Sequence, residues 1–83
     1  MNGGVIMAKA TELDYINTNI FVAAAAHNLH KGNDIAKTIG MPAQTFYDRQ
    51  ARPSLWRLQE LYRASKRLGV TLEWITTKHS TVM

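Results

Sequence analysis

The chain has 83 residues, no cysteine and a formal net charge of +4. This length is enough for one small hydrophobic core but too short for a second domain or a deep cleft for a small-molecule substrate. Without cysteine there is no disulfide bond or thiolate metal site, and we expect a cytoplasmic protein. The longest apolar run, residues 20–26, is far shorter than the roughly 20 residues that cross a bilayer, so we expect no membrane partner.

Positive charge is concentrated in the middle of the chain. The segment from Lys31 to Arg67 contains eight basic and three acidic residues, a net charge of +5, and the rest of the chain carries −1. Clustered positive charge on a small domain points to a polyanion, and nucleic acid is favoured over a membrane surface. A basic surface that is simply solvated is the alternative.

The chain is predicted to consist of a flexible leader (residues 1–11), one domain (residues 12–75) and a C-terminal tail (residues 76–83). The sequence TELD at 11–14 has the form of a capping box and predicts the start of the first helix. Because three polar residues follow at 17–19, a shorter helix over about 19–29 is the alternative.

Two short helices are predicted to meet at a tight turn. Asn33 is expected to cap the second helix, DIAKTI at 34–39, and Gly40 is expected to end it in the left-handed conformation. Pro42 fits the first turn of a third helix, where its missing N–H costs nothing. Phe46 lies one turn further on and is expected to pack against the second helix. The spacing therefore predicts a helix-turn-helix.

Two more helices complete the predicted all-α fold of about five short helices. Pro53 is expected to stop the third helix and Ser54 to cap the fourth, which ends at Gly69. Thr71 is expected to cap a short fifth helix at 72–75. The residues of the fourth helix expected to form its buried stripe are Leu55, Leu58, Leu61, Tyr62, Ser65 and Leu68.

The segment GNDIAKTIGMPAQTFYDRQA, residues 32–51, resembles the helix-turn-helix of phage Cro and repressor-type regulators. The small residue of the first helix of that motif matches Ala36, its turn glycine matches Gly40, and the apolar anchor of its second helix matches Phe46.

The similarity extends over about residues 18–75. TFYDR at 45–49 and LQELYRASKRLGVT at 58–71 resemble a phage-encoded subgroup of this family. The resemblance implies a compact lambda-repressor-like domain that binds duplex DNA as a transcriptional regulator, usually as a homodimer, with its third helix in the major groove.

The resemblance assigns residues to base edges and to phosphates. Residues expected to face the bases are Ala43, Gln44, Tyr47 and Asp48. Residues expected to contact phosphates are Lys31, Asn33, Lys37, Arg49 and Arg52. Tyr47, although it projects from the base-facing side, is also better assigned to a phosphate. Among the residues expected to face the bases, Gln44 is the first choice for reading sequence, because its amide can pair with adenine N6 and N7. Half-buried packing for Tyr47 and simple solvation for the two arginines are the alternatives.

Three positions depart from the family pattern. Family members commonly have glutamine at the position of Gly32, where its side chain contacts a phosphate; Lys31 and Asn33 are the candidates to replace it. The phage-encoded subgroup often has leucine at the position of Gln50, so a less well anchored end of the third helix is expected here. Asp48 places a negative charge on the face expected to meet DNA. It either accepts from a cytosine, holds Arg49 or Arg52 in place, or weakens binding. Asp48 and the missing glutamine support an alternative function, a protein-interaction module such as an antirepressor or phage-encoded inhibitor.

Other chemistry has little support in the sequence. His27 and His30 have helical spacing for a shared metal, but a third ligand is missing nearby, and we expect no metal, cofactor or enzyme activity. Trp56 and Trp74 are expected either to pack locally or to contact a partner. The expected dimer surface is the C-terminal end, formed by Leu72, Trp74 and Ile75.

Overall fold

The computed structural model describes residues 13–79, which form five α-helices and one 3-10 turn and contain no β-strand. The helices are α1 (Asp14–Ala25), α2 (Gly32–Ile39), α3 (Ala43–Ala51), α4 (Leu58–Leu68) and α5 (Leu72–Ile75), and the 3-10 turn (Pro53–Leu55) separates α3 from α4. The predicted all-α architecture of about five short helices is therefore confirmed. The predicted leader, residues 1–11, and the end of the predicted tail, residues 80–83, lie outside the described residues.

Helix α1 begins at Asp14, and the shorter helix over 19–29 is wrong. The polar residues that favoured the shorter helix are accommodated because Asn17 and Asn19 are buried and hydrogen-bonded to distant parts of the chain. The side-chain amide of Asn19 donates to the carbonyl oxygens of Trp74, Ile75 and Thr77 at 3.3, 2.8 and 2.9 Å. These bonds fasten α5 and the residues after it to α1.

The tight turn between α2 and α3 follows the sequence prediction. Gly40 has φ 89° and ψ 34°, the left-handed conformation, and its N–H donates to the carbonyl of Ala36. Pro42 directly precedes the first residue of α3. The predicted cap at Asn33 is wrong, because α2 begins at Gly32, two residues before the predicted start at Asp34, and Asn33 lies inside its first turn.

The start of α4 differs from the prediction. Pro53 opens a 3-10 turn, so α4 begins at Leu58 rather than after a Ser54 cap. The carboxylate of Glu60 accepts a hydrogen bond from the N–H of Arg57 at 2.9 Å and closes this helix end. The predicted caps at the two later ends are confirmed: Gly69 ends α4 with φ 73°, and Thr71 Oγ1 accepts from Trp74 N at 3.0 Å.

The predicted stripe of α4 is only half right. Leu61, Ser65 and Leu68 are buried, whereas Leu58 and Tyr62 are exposed. Leu55, also predicted for the stripe, lies exposed in the 3-10 turn.

All five helices contribute to one core. The buried apolar residues are Ile16, Ile20, Ala23, Ala24, Ile35, Ala36, Ile39, Met41, Phe46, Trp56, Leu61, Ala64, Leu68 and Ile75. Phe46 is fully buried as predicted, and its ring packs edge-on against Phe21 at 6.0 Å and Trp56 at 6.2 Å between centroids. This aromatic cluster fixes the buried face of α3, and the opposite face remains at the surface.

Candidate functional site

Helix α3 presents a polar face to solvent opposite Phe46. Gln44 and Tyr47 are exposed, and Ala43 and Asp48 are half-buried. The helix therefore brings together all four residues that were expected to face bases. Ala43 also packs against the core, so only part of its methyl group is available to a ligand.

Tyr47 reaches back from α3 to the N-terminal turn of α2. A Cβ atom at Gly32 would lie 2.6 Å from the Tyr47 hydroxyl oxygen, so the ring occupies space that a side chain at position 32 would need. The Tyr47 hydroxyl donates to Asn33 Oδ1 at 3.0 Å. Two of the expected DNA contacts, Tyr47 and Asn33, are thus bonded to each other across the two helices.

The negative charge of Asp48 is matched by two arginines. Asp48 Oδ2 accepts from Arg49 Nη1 at 2.8 Å, and Asp48 Oδ1 lies 3.4 Å from Arg52 Nη2. Of the three roles considered for Asp48, holding these arginines is the one seen in the structure. Arg52 remains 69% exposed and is available to a ligand.

The side chain of Arg49 is partly buried and packs back against α4 rather than extending toward solvent. Its Nε and Nη2 donate to the two carboxylate oxygens of Glu60, each at 3.0 Å, and both side chains are only 12% exposed. Such bidentate pairing fixes direction as well as distance. We therefore revise the expected role of Arg49 from a phosphate contact to a clamp that ties α3 to α4.

Charge and burial act in opposite directions on this pair. Burial raises the pKa of Glu60, but the hydrogen bonds from Arg49 and from the N–H of Arg57, with both positive charges, hold that pKa below its ordinary value. The hydrogen bond with Glu60 raises the pKa of Arg49, against the effect of desolvation. Both groups are therefore charged at neutral pH, and the clamp is a full ion pair.

The end of α3 is tied to α1 by a second set of bonds. Asn17 Nδ2 donates to the Gln50 carbonyl at 3.1 Å, and Asn17 Oδ1 accepts from Gln50 Nε2 at 3.0 Å and from Trp56 Nε1 at 2.9 Å. Gln50, at the position where the subgroup that the sequence resembles often has leucine, is thus anchored by hydrogen bonds. Trp56 is buried, so the local-packing interpretation of this tryptophan is confirmed.

Basic side chains lie at both ends of α2. Lys31 and Lys37 are exposed on and beside α2. Arg63 and Arg67 of α4 donate to the carbonyls of Gly40 and Thr38 at 3.0 and 3.1 Å. Arg63 and Arg67 were not predicted from the sequence, where the only signal for them is that helix C-terminal carbonyls attract cations. That rule does not say which distant helix supplies the cation.

The C-terminal end matches the expected dimer surface only in part. Leu72 and Trp74 are half-buried and reach the surface, whereas Ile75 is fully buried in the core and cannot contact a second copy. Trp74 also lines an apolar groove with Tyr15 and His79, and its ring lies 4.6 Å from that of His79 between centroids.

Neither a metal cluster nor a membrane span is found in residues 13–79. His27 Nε2 lies 2.9 Å from the Leu68 carbonyl oxygen, so this ring links the ends of α1 and α4. Within the same residues no group of three or more His, Asp or Glu side chains is placed to hold a metal ion. No helix there is long and apolar enough to cross a membrane.

Comparison of the chain with models of known protein families, with curated proteins and with solved structures found no match.

Proposed function

We propose that the protein is a sequence-specific regulator of the Cro and repressor type that binds duplex DNA in the cytoplasm. Helices α2 and α3, with the turn at Gly40, act as the helix-turn-helix unit, and α3 enters the major groove. This groove is about 12 Å wide and admits one α-helix.

The observation that carries this proposal is the fixed presentation of the polar face of α3. Phe46 anchors its buried side, Arg49 is clamped to Glu60 of α4, and Gln50 is bonded to Asn17 of α1. A reading helix needs this rigidity, because a base contact is selective only when donor and acceptor meet in a fixed register.

The exposed side chains supply two kinds of contact. Gln44 is exposed on α3, and its amide can pair with adenine N6 and N7. The part of Ala43 that reaches the surface suits a thymine methyl group. The proposed phosphate contacts are Lys31, Asn33, Lys37 and Arg52. Phosphate contacts set the register of the protein on DNA without reading its sequence.

A homodimer is part of the proposal, because one α3 reads too few base pairs to find a site in a genome. Leu72 and Trp74 remain the proposed contacts between the two copies. A two-fold dimer places two copies of α3 in successive major grooves, so the site is an inverted repeat with half-site centres about 10 base pairs apart.

The alternative function is a helix-turn-helix module that binds another protein in place of DNA. One of the two observations that supported this alternative no longer does so. The alternative drew support from the negative charge of Asp48, and that charge is now accounted for by Arg49 and Arg52. We therefore keep DNA as the proposed ligand of α3.

Selection from randomised duplexes, followed by gel-shift titration, tests the proposal. We expect one enriched inverted repeat, and we expect Gln44→Ala to lose preference at one base pair of each half-site. Gln59→Ala, in an exposed glutamine of α4, is the matched control. If no duplex is enriched and none binds at low salt, DNA is not the ligand and the protein-binding alternative takes its place.

A further inference from the structure

Helix α4 carries an apolar strip that the fold leaves uncovered. Leu58 is 68% exposed and Tyr62 is 52% exposed, and they lie one turn apart on the same helix face. Leu55, in the 3-10 turn just before α4, is 42% exposed. We call these three residues the α4 strip.

The α4 strip is not needed for the core. The buried residues of α4 are Leu61, Ala64, Ser65 and Leu68. Leu58 and Tyr62 lie beside them, at the edge of the buried face, and stay exposed. Single exposed apolar residues are common, but a series of them along one helix marks a contact surface. The proposed DNA contacts are residues of α2 and α3 and the residues Lys31 and Arg52 next to these helices. None of them belongs to the α4 strip.

The charges around the α4 strip are positive. Lys66 continues the line of Leu58 and Tyr62 by one more turn, and its Nζ lies 5.4 Å from the centre of the Tyr62 ring. Arg63 and Arg67 are exposed on the adjacent face, and their hydrogen-bond partners are neutral carbonyls, so their charges are not compensated there.

The single carboxylate of α4 does not offset this charge. Helix α4 is described over its whole length, and its one acidic residue, Glu60, is already paired with Arg49. A second copy of the chain placed on the strip would bring its own basic residues to the same contact. Nucleic acid would match the charge but leave Leu58 without an apolar partner.

We propose that the α4 strip binds an acidic amphipathic helix of a partner protein. Apolar residues of the partner cover Leu58 and Tyr62, in the pattern of i, i+3, i+4 and i+7 positions by which helices dock through one face. Glutamate or aspartate beside them faces Lys66 and Arg63. This binding is a function additional to the proposed DNA binding and does not depend on it.

Fluorescence anisotropy with two labelled peptides tests this proposal on the full chain. Both peptides are about five helical turns long, with leucine at the i, i+3, i+4 and i+7 positions. One carries glutamate on its remaining polar positions and the other carries lysine. We expect the acidic peptide to bind and the basic peptide to bind at least about tenfold more weakly, since like charges at a contact disfavour a partner.

Variants locate the contact. We expect Leu58→Ser to weaken binding of the acidic peptide by about fivefold or more, as is usual for a central apolar interface residue. Lys66→Glu should weaken it as well. Val22→Ser replaces another exposed apolar residue, on α1, and should bind as the unchanged protein does. Circular dichroism and urea unfolding confirm that each variant is folded, and Tyr62→Ser is a second variant of the strip.

Several results would overturn the proposal. They are no binding of the acidic peptide, equal binding of the two peptides, or unchanged binding by both Leu58→Ser and Tyr62→Ser. A dimer in sedimentation equilibrium that Leu58→Ser abolishes would assign the strip to a second copy. Loss of DNA binding in Leu58→Ser, with peptide binding unchanged, would assign it to nucleic acid. Gln44→Ala should bind the peptide normally, which separates failure of this proposal from failure of DNA binding.

Discussion

The ring of Tyr47 lies against Gly32 so closely that a Cβ atom at position 32 would be 2.6 Å from its Cε1. The glycine therefore makes room for the tyrosine, whose hydroxyl then bonds to Asn33. In the family that the sequence resembles, a glutamine commonly stands at this position. Here Tyr47 of α3 fills the space beside the N-terminus of α2 with its ring and places its hydroxyl group there.

This contact predicts the effect of Gly32→Ala. The atoms in conflict are at the far end of a half-exposed side chain, so we expect Tyr47 to rotate away and the fold to remain stable. The Tyr47–Asn33 hydrogen bond is then lost, and DNA binding should weaken for all sequences alike. Titration of DNA with Gly32→Ala, Tyr47→Ala and the double variant checks this. If the two losses simply add, the two positions do not act through one contact.

Salt dependence tests the proposed phosphate contacts. With Arg49 held by Glu60, the proposed cationic contacts are Lys31, Lys37 and Arg52. Three neutralised phosphates in each subunit give a slope of log K against log salt of about −3 per subunit, and about twice that for the dimer on its full site. Lys37→Ala should reduce the magnitude of this slope by about 1 per subunit. Binding that does not change with salt contradicts the proposed interface.

Base reading and anchoring are separated by two variants. Gln44→Ala should cost roughly 1–3 kcal/mol on the selected site and relax preference at one base pair, because the lost contact is to a base edge. Arg52→Ala should weaken selected and unrelated duplexes by a similar factor, because it removes a phosphate contact. Competition titrations with both duplexes measure the difference, and identical behaviour of the two variants would rule out the assigned roles.

The Arg49–Glu60 clamp predicts a pH dependence of stability. The folded pKa of Glu60 is lower than its ordinary value of 4.5, so its charged form stabilises the fold above about that pH. This contribution is lost as the pH falls through the folded pKa. Thermal unfolding of Glu60→Gln should therefore depend less on acidic pH than that of the unchanged protein. Glu73→Gln, in the exposed glutamate of α5, controls for the loss of one carboxylate.

Asn17 predicts a large effect on stability. Asn17→Ala leaves the buried Trp56 Nε1 and the Gln50 carbonyl without the partners they have in the structure. Each unsatisfied buried group costs about 1–3 kcal/mol, so we expect a loss of about 2 kcal/mol or more in urea unfolding. Trp56→Phe removes the Nε1 donor itself, so no buried donor is left without a partner, and Asn17 Oδ1 still accepts from Gln50. We expect this variant to lose less stability than Asn17→Ala. An Asn17→Ala protein as stable as the unchanged one would show that these bonds contribute little.

The sequence predicted the features that depend on neighbours along the chain. Gly40, Gly69 and Thr71 end or begin helices as expected, because their conformations and caps are local properties. The predicted caps at Asn33 and Ser54 failed for different reasons. The side chain of Asn33 accepts a hydrogen bond from Tyr47 and does not cap α2. The 3-10 turn at Pro53–Leu55 moves the start of α4 to Leu58.

The contacts within the candidate site were beyond sequence reasoning. In the sequence, Arg49 resembles any other surface cation. Its pairing with Glu60, 11 residues further on, depends on how α4 packs against α3. The sequence pattern also cannot show which side of α4 is covered, since Leu58 and Leu61 are equally apolar and only one faces the core. Such choices depend on how helices pack, which spacing alone does not determine.

Asn19 links the last helix of the domain to the first. Helix α5 has four residues and is too short to be stable alone. One amide on α1 holds two carbonyls of α5 and the carbonyl of Thr77 after it, at sequence separations of 55 to 58 residues. Closing so long a loop is slow relative to forming local turns, so we expect α5 to form late in folding. We also expect the amide hydrogens of α5 to exchange whenever α1 separates from it, so that the last helix reports on the completion of the whole domain.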